Sequence, residues 1–179
     1  MSVLDDPVEA HSPGRLNDLD NIRISRPADD DSIADLLIDA FSNLYAAMGT
    51  QMSPDRERYL KGQADRRHFA KTFVYEVDQR IVATVTLVPP CVQSEAWIDG
   101  AWDLRLLAVD AGVQGRGVAR SLLKYAEEHA SLAGATAMCL HTRRGVRSQS
   151  QLYLSCGYLR DPKGDLETDP VQDGYRKPL

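Results

Sequence analysis

The chain has 179 residues, 43% of them hydrophobic, which suits one domain with a real core, and no Pro/Ser/Gly-rich linker divides it. Its net charge of -5, from 26 acidic and 21 basic residues, argues against an obligatory nucleic-acid partner, because displacing counterions needs an excess of Lys and Arg. No apolar run approaches membrane-spanning length, and Cys91, Cys139 and Cys156 are too widely spaced for a disulfide framework or a zinc site, so a soluble, cytoplasmic protein with no metal and no membrane partner is expected.

Residues 1–20 hold five aspartates and glutamates, two prolines and a glycine without a clear apolar period. They read as a disordered tail, and they lack the basic start and apolar core of a secretory signal. A single domain is expected over 21–179. Residues 21–25 alternate like a first strand, and Pro27 followed by Asp29, Asp30, Asp31 and Ser32 marks a helix start favoured by the helix dipole. Ile33, Leu36, Leu37, Ala40, Phe41, Leu44 and Tyr45 keep the helical period. Ser53-Pro54-Asp55 has the form of an N-cap with proline at the first helical position, which predicts a second helix to about His68. Arg66, Arg67 and His68 read as a solvated basic cluster.

Residues 72–77 and 80–88 flank Asp78-Gln79 and predict a β-hairpin whose turn lacks the usual glycine. Pro89-Pro90 ends it, 91–100 is a loop, and 101–109 returns as a strand. Within that strand Leu106, Leu107, Ala108 and Val109 form an apolar run. Gly112, Gly115 and Gly117 follow. A helix then starts near Gly117, with Ala119, Leu122, Leu123, Ala126 and Ala130 on one face and Gly134 closing its end. Residues 135–141 predict a strand parallel to the previous one, 147–156 a short helix closing at Gly157, 158–160 a strand, and 174–176 a strand that completes the sheet.

The order strand, glycines, helix matters chemically. The first amides of a helix lack intrahelical partners and carry the positive end of its dipole, so they hold an anionic phosphate. Glycines at Gly115 and Gly117 leave those amides bare and can take the positive φ of a concave nest. Neither the P-loop spacing nor Gly-x-Gly-x-x-Gly is present. Instead Gln114-Gly115-Arg116-Gly117-Val118-Ala119 fits (Gln or Arg)-x-x-Gly-x-(Gly or Ala), and Leu152-Tyr153-Leu154-Ser155-Cys156-Gly157-Tyr158 is close to Leu-Tyr-x-x-x-Gly-Phe. Together these resemble the GNAT superfamily of N-acetyltransferases over nearly everything after residue 20.

The resemblance implies a mixed α/β (α+β) fold with a splayed, mostly antiparallel central sheet of about seven strands and flanking helices. It implies acetyl-CoA as co-substrate, with the pyrophosphate on Gln114, Gly115, Arg116, Gly117, Val118, Ala119 and Arg120, and the acetyl carbonyl polarised by main-chain amides of Leu107, Ala108 and Val109. Tyr153 then faces the sulfur as general acid. The pattern departs at Val146 and Gln149, where an asparagine and a small residue are usual.

Thioester aminolysis also needs a neutral amine. A lysine-like ammonium is only ~0.04% neutral at pH 7, a handicap of ~4.6 kcal/mol that a base reduces. Asp103, six residues before Val109, stands where histone acetyltransferase-like relatives carry a glutamate base. His141, at the end of the next strand, stands where relatives that acetylate protein N-termini carry one, and imidazole suits neutral pH. Either is a candidate. A cysteine nucleophile at Cys139, on the strand face of His141, is a distant third route.

The acceptor is read as a small-molecule amine attacking directly in a ternary complex. Protein N-termini or lysines are the rival substrates, and a quiet acyl-CoA-binding module is the rival class. The cluster Arg143, Arg144 and Arg147 reads evenly as a solvated surface or as a contact for coenzyme A phosphates or an acidic substrate. Trp97, Trp102 and Tyr45 are candidates for pocket wall, core or a homodimer contact, and Asp165 reads as a solvated loop acid.

Overall fold

The computed structural model describes residues 19–179, so the expected tail lies outside the described residues except for its last two. Those two open the short turn Leu19–Asn21, and the described domain begins there. Strand β1 (Ile22–Ile24) leads into helix α1 (Asp30–Ala47), which starts on Asp30 and Asp31 and buries Ile33, Leu36 and Leu37. Ser53 caps the next helix as expected, its hydroxyl accepting from Arg56 N at 3.2 Å.

The single helix expected to His68 is two, α2 (Pro54–Lys61) and α3 (Gln63–Arg66), broken at Gly62, whose φ of -77° and ψ of 42° leave the helical region. Arg66 stabilises the break by folding back. Its guanidinium donates to the carbonyls of Tyr59 and, at 2.9 Å, Leu60, which the end of α2 leaves without partners. Arg66 is therefore buried at 3% exposure, and Arg67 donates to Ser25 O at 3.1 Å and pairs with Asp30. The basic cluster read as solvated is mostly an internal brace, and only His68 is exposed.

Strands β2 (Lys71–Val77) and β3 (Arg80–Val88) form the expected hairpin. Asp78 and Gln79 both take positive φ, 48° and 61°, as a tight two-residue hairpin turn requires even without glycine. After the 91–100 loop come β4 (Trp102–Val109), α4 (Val118–Leu132), β5 (Ala137–Arg143, two residues later than expected), α5 (Arg147–Ser155), β6 (Leu159–Arg160) and β7 (Gln172–Pro178). The seven strands form one sheet in the order β1-β2-β3-β4-β5-β7-β6. Only β4 and β5 are parallel.

Side chains alternate across the sheet. Phe73 and Tyr75 pack with Leu122, Leu123, Ala126 and Ala130 of α4, while Val74 packs with Ile33 and Leu37 of α1 and Leu60 of α2. Helices thus cover both faces. No helix among the described residues is long and apolar enough to cross a membrane.

Candidate active site

The site begins where the sheet comes apart. β5 follows β4 only through Trp102–Met138, Asp103–Cys139 and Leu104–Leu140, after which His141, Thr142 and Arg143 pair with β7 alone. On the other edge Arg105 pairs with Thr86 and Ala108 with Thr84, so Leu106 and Leu107 together oppose Val85. This is a β-bulge. It also reverses the strand: Leu104 packs in the α4 core but Leu106 in the α1 core, although residues two apart normally share a face. Leu106 has φ of 54°, a conformation that costs a branched residue about 1–3 kcal/mol and that surrounding structure must hold. The outcome is main chain at Leu106 and Leu107 that has left the regular ladder and faces the gap.

Beyond the bulge the chain turns through Asp110, whose carboxylate accepts from Gly112 N at 2.7 Å and pairs with Arg80. Gln114 Nε2 donates back to Val109 O at 3.1 Å, so its side chain pins the turn to the strand. Gly115 and Gly117 take φ of 77° and 90°, and Gly117 is the N-cap of α4 with no side-chain cap. A Cβ on Gly115 would meet no protein atom within 4 Å, so that side of the turn is open. Bare amides of Gly117, Val118, Ala119 and Arg120, an open glycine and the dipole of a 15-residue helix fit a pyrophosphate. Arg116 is exposed beside them. Arg120 reaches Ser155 O at 3.3 Å and so ties α5 to the start of α4.

A cleft of about 530 Å³ lies on the α1–α2 side of the bulge. Leu104, Leu106 and Leu107 form part of its wall, Tyr45, Arg56 and Tyr59 come from the two helices, and Glu95, His141, Arg143, Gln149 and Tyr153 complete the polar lining. Tyr153 is 8% exposed, its ring edge-on to Tyr158 at 5.6 Å. Burial pushes its phenol well above the usual value, so it stays protonated.

His141 Nε2 lies 2.8 Å from Gly164 O. A carbonyl only accepts, so Nε2 carries the proton and the lone pair of the neutral ring is on Nδ1. That nitrogen is 3.9 Å from the Glu95 carboxylate. Trp97 lies against the imidazole with centroids 5.2 Å apart and donates to Asp161 at 3.1 Å. A Cβ on Gly164 would come within 2.4 Å of the Trp97 ring, so glycine is required for this stack.

Asp103, the other candidate base, is placed differently. It is fully buried and does not line the cleft. One carboxylate oxygen accepts from Glu95 N at 2.9 Å and from Arg105 Nε at 2.7 Å. Burial alone lowers the pKa of Arg105, but the charge and hydrogen bond of Asp103 more than reverse this. Arg105 in turn stands 3.5 Å from Glu95. Asp103, Arg105 and Glu95 thus form a chain from the core to the cleft.

Glu95 was not singled out by sequence reasoning, since its loop carries no period. Trp102 is core, and Tyr45 lines the cleft. Arg144 pairs with Asp173 at 2.7 Å and with Asp165 at 3.0 Å, while Arg147 is exposed. Asp165 is not a solvated acid. It also accepts from Arg160 at 2.6 Å and from Gly174 N at 3.0 Å, which hold its pKa down and fix the segment that carries Gly164. Cys139 is fully buried away from the cleft, and burial pushes its thiol up to about 11. A thiol that stays neutral is a poor nucleophile. Cys139→Ala is accordingly expected to leave kcat unchanged and to cost about 1 kcal/mol of stability, measured by steady-state assay and thermal unfolding.

A family model described as an acetyltransferase (GNAT) domain matches residues 68–159, and the chain belongs to the GNAT acetyltransferase family. It is an acetyl-CoA-dependent N-acetyltransferase. Among solved structures it is similar to a GNAT-family acetyltransferase from Streptococcus agalactiae, at 18% identity and TM-score 0.73 over 88% of this chain and 94% of that one. It is also similar to the PaiA N-acetyltransferase of Thermoplasma acidophilum, solved in complex with coenzyme A, at 16% identity and TM-score 0.68 over 88% and 99%. A third similar structure is the ribosomal-protein-alanine N-acetyltransferase of Brucella melitensis, at 20% identity and TM-score 0.63 over 88% and 99%. No curated protein matches the sequence.

Proposed function

We propose that the enzyme acetylates a primary amine on a small molecule by direct attack in a ternary complex. The observation that carries this reading is the cleft itself, which meets the bulge at Leu106 and Leu107 and is walled by α1, α2, the Glu95 loop and residues 168–170. Such a volume fits a small acceptor. In this reading the N-terminus of α4 and the Gly115–Gly117 turn hold the pyrophosphate of acetyl-CoA, and main chain at Leu107 to Val109 polarises the acetyl carbonyl.

An ammonium entering the cleft meets the Nδ1 lone pair of His141 and the carboxylate of Glu95. His141 takes the proton and the neutral amine attacks. Glu95 stabilises the imidazolium that results, and Asp103 acts at one remove by holding Arg105, which holds Glu95. As the thioester breaks, Tyr153 donates to the departing sulfur, and the second proton, shed by the nitrogen as the amide forms, passes to that sulfur through the phenol, so that coenzyme A leaves as the thiol. The family's asparagine contact is absent at Val146, and Gln149 faces the cleft instead. The three free thiols accord with a reducing, cytoplasmic setting.

The test is release of free thiol from acetyl-CoA with a panel of small amines and of peptides, with products identified by mass spectrometry. Small amines should be acetylated. Turnover of peptides alone, or of no amine by folded enzyme that binds acetyl-CoA, would refute the proposal.

A further inference from the structure

Six charged side chains line the cleft, Asp55, Arg56, Glu95, Arg105, Arg143 and Asp169, and three of them are already paired. Asp55 pairs with Arg58 at 2.8 Å, and Glu95 and Asp103 take Arg105. Asp169 is exposed at the edge. Two arginines are different. Arg56 and Arg143 line the cleft, are half-buried, and have no carboxylate partner among the described residues.

Both are held by rings instead. The guanidinium of Arg56 lies 4.9 Å from the centroid of Phe41 and 5.2 Å from that of Tyr59. That of Arg143 lies 4.2 Å from Tyr45, and its Nη1 faces Met48 Sδ at 3.5 Å. A ring face attracts the cation and fixes the plane of the fork, but it accepts few of its N–H bonds. Burial pulls Arg56 below its ordinary pKa, as a desolvated cation without a counter-ion should be. Two pre-oriented forks with free donors, lining one cleft, match a planar carboxylate, which each can grip through two parallel bonds. The pyrophosphate is met elsewhere, by the start of α4, whereas Arg56 and the Tyr45 beneath Arg143 belong to α2 and α1.

We infer that the acceptor is an amine that also bears a carboxylate, as an amino acid does, with Arg56 and Arg143 reading the carboxylate while His141 and Glu95 receive the ammonium. This rests on the small-molecule reading above and narrows it. Arg56 and Arg143 act on substrate choice, and the same cleft supplies the base.

The experiment compares amino acids with their carboxamides and with aminoalkylphosphonates as acceptors for the unmodified enzyme. The free acids should be favoured in kcat/KM by roughly 10- to 100-fold, the worth of charge-assisted hydrogen bonds. Arg56→Gln and Arg143→Gln should each shrink that ratio, mainly through KM, with folding checked by circular dichroism and coenzyme A binding. Equal use of acids and carboxamides overturns the inference, and so does a preference for phosphonates. Calorimetric titration with N-acetyl amino acids and their amides decides the matter without turnover. If no amine is acetylated, the function proposed above fails, while tighter binding of the acids than of the amides still supports the carboxylate site and equal or absent binding refutes it.

Discussion

Tyr153→Phe is expected to lower kcat by roughly 100-fold or more, while affinity for coenzyme A changes by less than about threefold. The substitution keeps the ring, and with it the edge-on contact to Tyr158 and the wall of the cleft, and removes only the hydroxyl. What that hydroxyl does follows from its environment. An ordinary phenol of pKa ~10 facing a thiol near ~8.5 would transfer its proton about 2 kcal/mol uphill in water. Burial raises the phenol further, so early, complete transfer is unfavourable. In the proposed reaction the same dry surroundings also raise the proton affinity of the departing sulfur, and a neutral hydroxyl that donates to it lowers the barrier as negative charge grows. Because the pKa is displaced upward, Tyr153 remains a donor across neutral and mildly alkaline pH, and its ionisation should not cut the rate there. Single-turnover rates with saturating acetyl-CoA and direct binding titrations measure the two effects separately. An unchanged chemical step would remove Tyr153 from the reaction.

Which parts of this arrangement could be read from the chain depends on how local their causes are. The glycine turn was legible because each requirement sits within a few residues: positive φ at Gly115 and Gly117, bare amides at the start of α4, an apolar strand just before. The strand and helix order was legible for the same reason. Gly62 permits a break, but the capping that makes the break stable comes from Arg66, a residue that looks like surface in a basic run. The orientation of His141 depends on Gly164 and Trp97, segments far from it in the chain that meet only in the fold. The reversal of β4 at Leu106 is a matter of register against β3, which no pattern within β4 alone reveals. Asp103 and Arg105 are two apart in an apolar strand, hence on one face, and that spacing describes a buried ion pair as readily as a base.

That pair decides the second large effect. Asp103→Asn should cost about 3 kcal/mol of stability, near the low end for breaking a buried ion pair, which for a domain of this size is roughly 6–12 °C in Tm. The side chains of Asp103 and Arg105 are 1% and 16% exposed and meet at 2.6 Å. An asparagine can still offer one oxygen to Glu95 N and Arg105, but it brings no charge, and Arg105 keeps the Gln93 carbonyl at 2.7 Å and, as an opposite charge, Glu95, which is half exposed and 3.5 Å away. Its amide would occupy the place of the other carboxylate oxygen, which has no hydrogen-bond partner in its buried position, so two donors would go unmatched there. The kinetic signature separates a positioning role from proton abstraction. In the proposed reaction Asp103 is a positioning residue and His141 the proton acceptor, so Asp103→Asn should lower kcat modestly, about 10-fold, through a loosened Glu95, and His141→Asn should lower it by roughly 100-fold or more. Thermal unfolding and single-turnover rates of the two variants are the measurements. The opposite pattern, with the larger loss of rate in Asp103→Asn, would transfer the base to the core aspartate and require a proton path from the cleft to reach it.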